Sequence, residues 1–176
     1  MAGHNKWSKI KRQKAGTDAA KSKIFSKFAK AIATASKEAL GNTSSPSLRA
    51  IIDKAREFNM PSENIERAIK KGLGSEALNM ESITYEAYGP GGCALIIEAL
   101  TTNRNKAAQE VKFILSKNGF ALASPGSASW AFEKKNGEWI PNQTIELAEE
   151  DETKLLNLIN ELEENDEIQD VYTNAN

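Results

Sequence analysis

The chain has 176 residues, of which 27% are charged and 40% hydrophobic, and it contains one cysteine and one histidine. This length allows one domain or two small ones with a buried core, and no stretch approaches the roughly 20 apolar residues of a membrane span. The first residues lack the apolar segment of a secretory signal and the Arg-rich, acid-free helix of a mitochondrial presequence. A single cysteine excludes an internal disulfide framework, so we expect a protein of the reducing cytoplasm.

The net charge of −1 conceals two regions of opposite sign. Residues 1–75 hold 16 Lys and Arg against 6 Asp and Glu, whereas residues 76–176 hold 7 against 18. Partners respond to the local field of a protein more than to its overall isoelectric point. The charge distribution therefore predicts a basic module joined to an acidic one.

The first part of the basic region, residues 3–14, is an arm with five cations, one tryptophan and no acidic residue. Cations contact phosphates and an aromatic ring stacks on a base, so the composition favours nucleic acid. A solvated basic tail is the alternative. The predicted contact residues of the arm are Lys6, Trp7, Lys9, Lys11, Arg12 and Lys14.

Three helices are predicted after the arm. The first runs from the candidate N-cap Thr17 to a stop at Gly41, with Ile24, Phe28 and Ile32 on one face. Lysines lie on the opposite arc, and we expect them to extend the phosphate-binding patch, although a solvated face is the alternative. These lysines are Lys23, Lys27 and Lys30.

Two shorter helices complete the predicted helical domain. The second follows Ser45 as N-cap with Pro46 in its first turn, and the third covers about residues 62–71. Between them, Asn59-Met60-Pro61 interrupts the pattern. This spacing is compatible with a helix-turn-helix, but spacing alone does not establish that motif.

From residue 82 onward the pattern alternates between strands and helices. Two β-α-β units on one sheet predict an α+β sandwich of ferredoxin-like type, after the N-terminal three-helix domain. We therefore expect a basic arm plus helical domain at 1–75 and an acidic α+β domain at 82–176. The predicted strands are 82–88, 93–100, 128–132, 144–147 and 168–172, the helices are 105–118 and 151–164, and Lys135-Asn136-Gly137 marks a hairpin.

Few residues suit catalysis or metal binding. His4 and Cys93 are far apart in sequence, so they offer neither metal-ligand spacing nor a catalytic pair. The glycine-rich run 89–92 leads into a strand and lacks the lysine of a P-loop, which indicates a turn. We expect no enzyme, no metal and no cofactor. Arg104, next to a helix start capped by Asn103 or Asn105, is a candidate anion contact.

Several motifs along most of the chain occur together and in order in one family. They are Ala2-Gly3-His4-Asn5-Lys6-Trp7-Ser8-Lys9-Ile10-Lys11, Lys23-Ile24-Phe25-Ser26-Lys27, Asn59-Met60-Pro61, Asn64-Ile65-Glu66-Arg67-Ala68-Ile69-Lys70-Lys71-Gly72, Tyr85-Glu86-Ala87-Tyr88-Gly89-Pro90-Gly91-Gly92, Thr102-Asn103-Arg104-Asn105 and Asp170-Val171-Tyr172-Thr173-Asn174. With these motifs the chain resembles the YebC-type proteins, bacterial relatives of the mitochondrial translational activator of cytochrome oxidase. The resemblance implies an N-terminal helical domain joined to α/β domains and a cytoplasmic role in gene expression, by DNA binding in transcription or by association with the ribosome.

The sequence departs from that family at one place. Members usually carry a further α/β domain between the strands that match residues 130–132 and 144–147. Here only residues 133–143 span the gap, and they predict a short hairpin in place of a domain. Any function that needs the further domain is therefore not expected of this chain.

Three functions remain open at this point. The first is a DNA-binding transcriptional regulator, and the second is a translation factor that binds ribosomal RNA through the same basic patch. The third is a protein-interaction module, in which the acidic domain binds a basic partner without nucleic acid. The sequence does not specify the oligomeric state.

Overall fold

A computed structural model describes residues 16–75, 77 and 79–176. Within them the chain forms two compact units, a helical unit that ends at Met80 and an α+β unit that starts at Glu81. The arm cations and Trp7 lie outside the described residues. Each unit has apolar clusters of its own.

The helical unit contains three helices, as predicted. The first helix (Asp18–Glu38) begins after Thr17, whose side-chain oxygen accepts a hydrogen bond from the backbone N–H of Ala20 at 3.2 Å. It ends before Gly41, and Leu40 and Gly41 follow it in the left-handed conformation with φ angles of +52° and +76°. Ser45 precedes the second helix, but its side chain makes no capping hydrogen bond. The helices are α1 (Asp18–Glu38), α2 (Pro46–Glu57) and α3 (Ser62–Leu73).

The helical unit packs around small and aliphatic side chains. Ile32, Leu48 and Ala55 are fully buried in its core. Gly72 of α3 lies directly against α1, because a Cβ at this position would be only 2.2 Å from the carbonyl oxygen of Ala33. The two helices therefore approach each other through a position where only glycine fits.

The α+β unit is built on a four-stranded antiparallel sheet, in which the neighbouring strands are, in order, Leu122–Ala123, Glu81–Tyr88, Ala94–Thr101 and Ile168–Thr173. Both of its helices pack on one face, where Leu95, Val111 and Leu158 belong to the same buried cluster. The predicted α+β class is confirmed. The elements are β1 (Glu81–Tyr88), β2 (Ala94–Thr101), α4 (Arg104–Lys117), β3 (Leu122–Ala123), β4 (Phe132–Lys135), β5 (Glu138–Pro141), α5 (Glu149–Glu164) and β6 (Ile168–Thr173).

The predicted hairpin at Lys135-Asn136-Gly137 is confirmed. Strands β4 and β5 pair with each other in a separate two-stranded sheet. Asn136 and Gly137 both have positive φ angles, 51° and 80°, as a two-residue hairpin turn of type I′ requires. The connection between the flanking segments of the chain is therefore a regular, short hairpin.

Two predicted strands of this unit are wrong in detail. The segment 128–132 forms a 3₁₀ turn, Ser129–Ala131, and enters a strand only at Phe132. The segment 144–147 makes one isolated parallel bridge, between Ile145 and Ala175. The other face of the sheet is covered by residues from the first of these segments, including Ala128 and Ala131.

Candidate nucleic-acid interface

The described part of the predicted basic patch lies on helix α1. Lys23, Lys27 and Lys30 are spaced so that they lie along one side of the helix. All three are half-buried, whereas Ser22 and Ser26 are exposed. Half-burial is typical of lysines whose long stems follow apolar surface while the ammonium group stays near water. Their contact with phosphate, like that of the arm, stays a prediction.

Arg104 lies at the start of α4, where the sequence places a candidate anion contact. Asn103 caps this helix, because its side-chain oxygen accepts a hydrogen bond from the backbone N–H of Lys106 at 3.0 Å. The Arg104 guanidinium donates two hydrogen bonds to Glu81, the one from Nε at 3.1 Å. This pairing raises the pKa of Arg104. An anion at this position has to compete with Glu81.

A cleft between α2 and α3 in the helical unit was not predicted from the sequence. Its volume is about 430 Å³. Ile52, Ile65 and Ile69 supply its apolar lining, and Arg49 and Arg56 are among its charged residues. The two arginines are seven residues apart, which places them on the same side of α2 two turns apart. That spacing is visible in the sequence and is the signal that identifies them.

A second group of residues missed at first lies in the α+β unit. The carboxylate of Glu86, which is only 8% exposed, accepts hydrogen bonds from the backbone N–H groups of Gly126, Ala128 and Ser129 at 2.7, 2.7 and 2.8 Å. Burial alone raises the pKa of Glu86, but these three donors outweigh it and hold the pKa below its ordinary value. The loop that leads to Trp130 is therefore tied to β1.

This loop presents an aromatic pair at the surface. The Trp130 ring is 58% exposed, and its Nε1 donates a hydrogen bond to the Tyr88 hydroxyl at 2.9 Å. The Tyr88 hydroxyl donates in turn to the carbonyl oxygen of Ser127. Exposed tryptophan and tyrosine side chains with fixed orientation are common at the centres of binding surfaces. The pair is thus a candidate contact surface of the acidic unit.

Cys93 is buried at the start of β2. Burial raises the pKa of its thiol to about 11, so the thiol is protonated at neutral pH and is a poor nucleophile. No group of three or more metal-ligating side chains occurs in the described residues. None of the helices in that part of the chain combines the length and the apolar character of a membrane span.

Comparison with known families gives matches over nearly the whole chain. The family model described as "TACO1/YebC protein N-terminal domain" matches residues 5–75. The model described as "TACO1/YebC second and third domain" matches residues 80–137 and 134–175, in two segments that meet at the β4–β5 hairpin.

Curated relatives carry the name "Probable transcriptional regulatory protein". The one from Fervidobacterium nodosum is 51% identical over 158 residues, which are 89% of this chain and 62% of the relative. The chain thus spans about three fifths of that protein. The one from Pseudothermotoga lettingae is 36% identical over 236 positions that cover 99% of this chain and 93% of the relative. Because this chain has 176 residues, that relative has residues inside the aligned region that this chain lacks.

A solved structure shares the fold. It is the crystal structure of a conserved hypothetical protein from Aquifex aeolicus, with a TM-score of 0.76 and 30% sequence identity. The superposition covers 90% of this chain and 91% of that one.

Proposed function

The chain belongs to the TACO1/YebC family, and we propose that it is a nucleic-acid-binding regulator of gene expression that acts on DNA in transcription. The name carried by its relatives supports a regulatory role. The observation that carries the proposal is the concentration of positive charge in residues 1–75 of a chain with a net charge of −1. A basic surface of this kind binds phosphates and positions a protein on nucleic acid without reading sequence.

The contacts proposed for this function come from the arm and from α1. Lys6, Lys9, Lys11, Arg12 and Lys14 bind backbone phosphates, and Trp7 stacks on a base or anchors the arm. The α1 lysines extend the same patch. Since the arm has no base-reading pattern, we expect affinity without strong sequence preference.

The test uses the full chain and a duplex DNA labelled with a fluorophore. In the test variant the five arm cations are replaced by Ala, and in the charge-matched control five lysines of the α+β unit are replaced. If all five arm cations contact phosphates, wild-type affinity falls by roughly 10²–10³-fold between about 50 mM and about 200 mM salt, and the arm variant loses most of this dependence. The control lysines are Lys112, Lys117, Lys134, Lys135 and Lys154.

The same measurement separates DNA from ribosomal RNA. A ribosomal RNA fragment replaces the duplex at the same salt concentration, because a basic patch suits a folded RNA surface as well. Tighter binding to the RNA than to the DNA, together with co-sedimentation with ribosomes, would favour a role in translation over one in transcription. Equal affinity of wild type and arm variant for both nucleic acids contradicts the proposal in either form.

The aromatic pair Tyr88 and Trp130 favours a second candidate function, the binding of a basic protein partner by the acidic unit. Residues 76–176 hold 18 Asp and Glu against 7 Lys and Arg, so a cationic segment is attracted. A Lys or Arg side chain placed over the exposed Trp130 ring gains a cation–π contact. The test compares Trp130→Ala with Phe113→Ala, which removes another exposed ring from the same unit. A partner lost only in the Trp130 variant supports this function, and a partner retained by both contradicts it.

A further inference from the structure

We propose that the cleft between α2 and α3 binds a phosphodiester segment of nucleic acid, in which Arg49 and Arg56 exchange their shared partner Asp53 for phosphate oxygens. This inference rests on the proposed function, and it adds a binding site within the folded helical unit to the arm.

The first observation is how loosely these two arginines are held. Asp53 lies between them, with Arg49 Nε at 3.8 Å and Arg56 Nη1 at 3.4 Å from its carboxylate oxygens. Ordinary charge-assisted hydrogen bonds are about 2.7–2.9 Å long, so both contacts are weak. One carboxylate shared by two guanidinium groups leaves most of their N–H donors available to a phosphate.

The other two arginines of the described residues are paired more tightly. Arg67 donates to Glu63 at 2.9 Å, and Arg104 donates twice to Glu81. Exposure does not explain the difference, because the side chains of Arg49 and Arg67 are 72% and 69% exposed. The two loosely held arginines are also the two that line the cleft.

The second observation concerns neutral donors around the cleft. Three residues that carry hydroxyl groups, Thr43, Ser44 and Ser62, are among those that line it. Ser62 is also the first residue of α3, and the residue before it, Pro61, provides no side-chain cap. The first N–H groups of a helix have no partner within the helix and carry partial positive charge, which favours an anion.

The third observation is the shape and setting of the cleft. Its volume of about 430 Å³ is in the range of sites for small ligands or for one unit of a polymer. Ile69, which is half-buried, offers an apolar surface to a sugar or a base beside the phosphate, whereas Ile52 and Ile65 are buried beneath it. Residues 16–75 hold 11 Lys and Arg against 6 Asp and Glu, so the surrounding unit attracts a polyanion. Glu66 also lines the cleft and, together with Asp53, offsets the charge of the two arginines until a phosphate displaces Asp53.

The test measures binding of labelled duplex DNA and of a labelled ribosomal RNA fragment to the full chain at one salt concentration. The double variant Arg49→Ala/Arg56→Ala should bind at least about tenfold more weakly than wild type. The control Arg67→Ala/Lys70→Ala removes the same charge from α3 outside the cleft and should change affinity by less than about threefold. The nucleic acid that shows the larger difference identifies the source of the phosphate.

A second variant gives an effect in the opposite direction, which a folding defect does not produce. Asp53→Asn releases both arginines and should strengthen binding by about three- to tenfold. Glu63→Gln adds the same charge and releases Arg67, which lies outside the cleft, so it should change affinity by less than about twofold.

Either of two results overturns this inference. In the first, Asp53→Asn raises the affinity for nucleic acid no more than Glu63→Gln does. In the second, the variant Arg49→Ala/Arg56→Ala binds as tightly as its control Arg67→Ala/Lys70→Ala. Both results leave the proposed function in place if wild-type protein binds and the arm variant does not. Absence of binding by wild type contradicts the proposed function itself.

Discussion

The helical unit keeps its ionisable groups at or near the surface and packs through apolar side chains, whereas the α+β unit buries polar groups. Ser36 is the one buried polar residue of the helical unit among those described, and its hydroxyl donates to the carbonyl oxygen of Ile69 at 2.9 Å. The α+β unit buries Glu86, Thr101, Thr173 and Asn174.

The difference follows from what each backbone needs. A helix satisfies nearly all its own N–H and C=O groups, but a sheet with irregular connections leaves buried groups that require side-chain partners. The Glu86 carboxylate accepts hydrogen bonds from three such backbone N–H groups. The Asn174 side-chain oxygen accepts one from the N–H of Ala94 at 2.8 Å. The helical unit therefore depends on apolar packing, and the α+β unit depends in addition on a few buried polar groups.

The largest loss of stability should come from adding a methyl group at the contact between α1 and α3. We expect Gly72→Ala to destabilise the helical unit by roughly 3–4 kcal/mol, despite the better helix propensity of Ala. The added Cβ would lie 2.2 Å from the carbonyl oxygen of Ala33, so the helices must separate. Urea unfolding followed by circular dichroism at the helix band measures the change.

The control for this prediction is Gly74→Ala. A Cβ at Gly74 would be 3.5 Å from its nearest neighbour, an ordinary contact, so we expect a change below about 0.5 kcal/mol. In a Trp7→Phe background, the remaining tryptophans, Trp130 and Trp139, report on the α+β unit by their fluorescence. If the α+β unit of the Gly72 variant unfolded at the same urea concentration as its helical unit, the two units would not unfold independently.

The next effect concerns the buried carboxylate. Glu86→Gln keeps the size of the side chain but turns one acceptor oxygen into an NH₂ group that faces backbone N–H donors. We expect the α+β unit to lose about 2–3 kcal/mol, measured by urea unfolding with tryptophan fluorescence. Glu133→Gln, at an exposed position, should be nearly neutral. An unchanged stability of the Glu86 variant would mean that the loop is held by other contacts.

The acid dependence of stability gives a third prediction. The pKa of Glu86 in the folded protein lies below its ordinary value of 4.5, so the carboxylate stabilises the fold above that pH. This contribution is lost as the pH falls through the folded-state pKa. The stability difference between wild type and Glu86→Gln should therefore be constant near neutral pH and shrink below about pH 4.5. A difference independent of pH in that range would exclude the carboxylate as its source.

The smallest effect is a change in the reactivity of one thiol. Cys93 is buried with a pKa raised to about 11, so a thiol reagent should modify it slowly at neutral pH. Reaction then requires opening of the α+β unit. Labelling followed by mass spectrometry should be faster in Glu86→Gln and unchanged in Gly72→Ala. Equal acceleration in both variants would show that the units open together.

Much of the fold is predictable because helix and strand signals are local. Thr17 caps the start of α1, the left-handed residues Leu40 and Gly41 follow its end, and Asn136-Gly137 specifies the hairpin turn. The strand predicted at 128–132 is wrong for a non-local reason, since its backbone N–H groups bind Glu86, about 42 residues earlier in the chain.

The site is less predictable than the fold. Nothing near Arg104 in sequence indicates that Glu81 occupies its guanidinium. The positions of Arg49, Asp53 and Arg56 at intervals of four and three residues are visible in the sequence, but the cleft beside them depends on the packing of α3. The arm cations lie outside the described residues, so their role stays a prediction.

The central claim is that nucleic acid contacts the basic region and not the acidic unit. Ultraviolet crosslinking in cells, followed by sequencing of the bound nucleic acid and mass spectrometry of the crosslinked peptides, tests it directly. The account predicts crosslinks within residues 1–75, in the arm, α1 or the cleft beside α2. Crosslinks confined to residues 81–176, for example around Trp130, would contradict it.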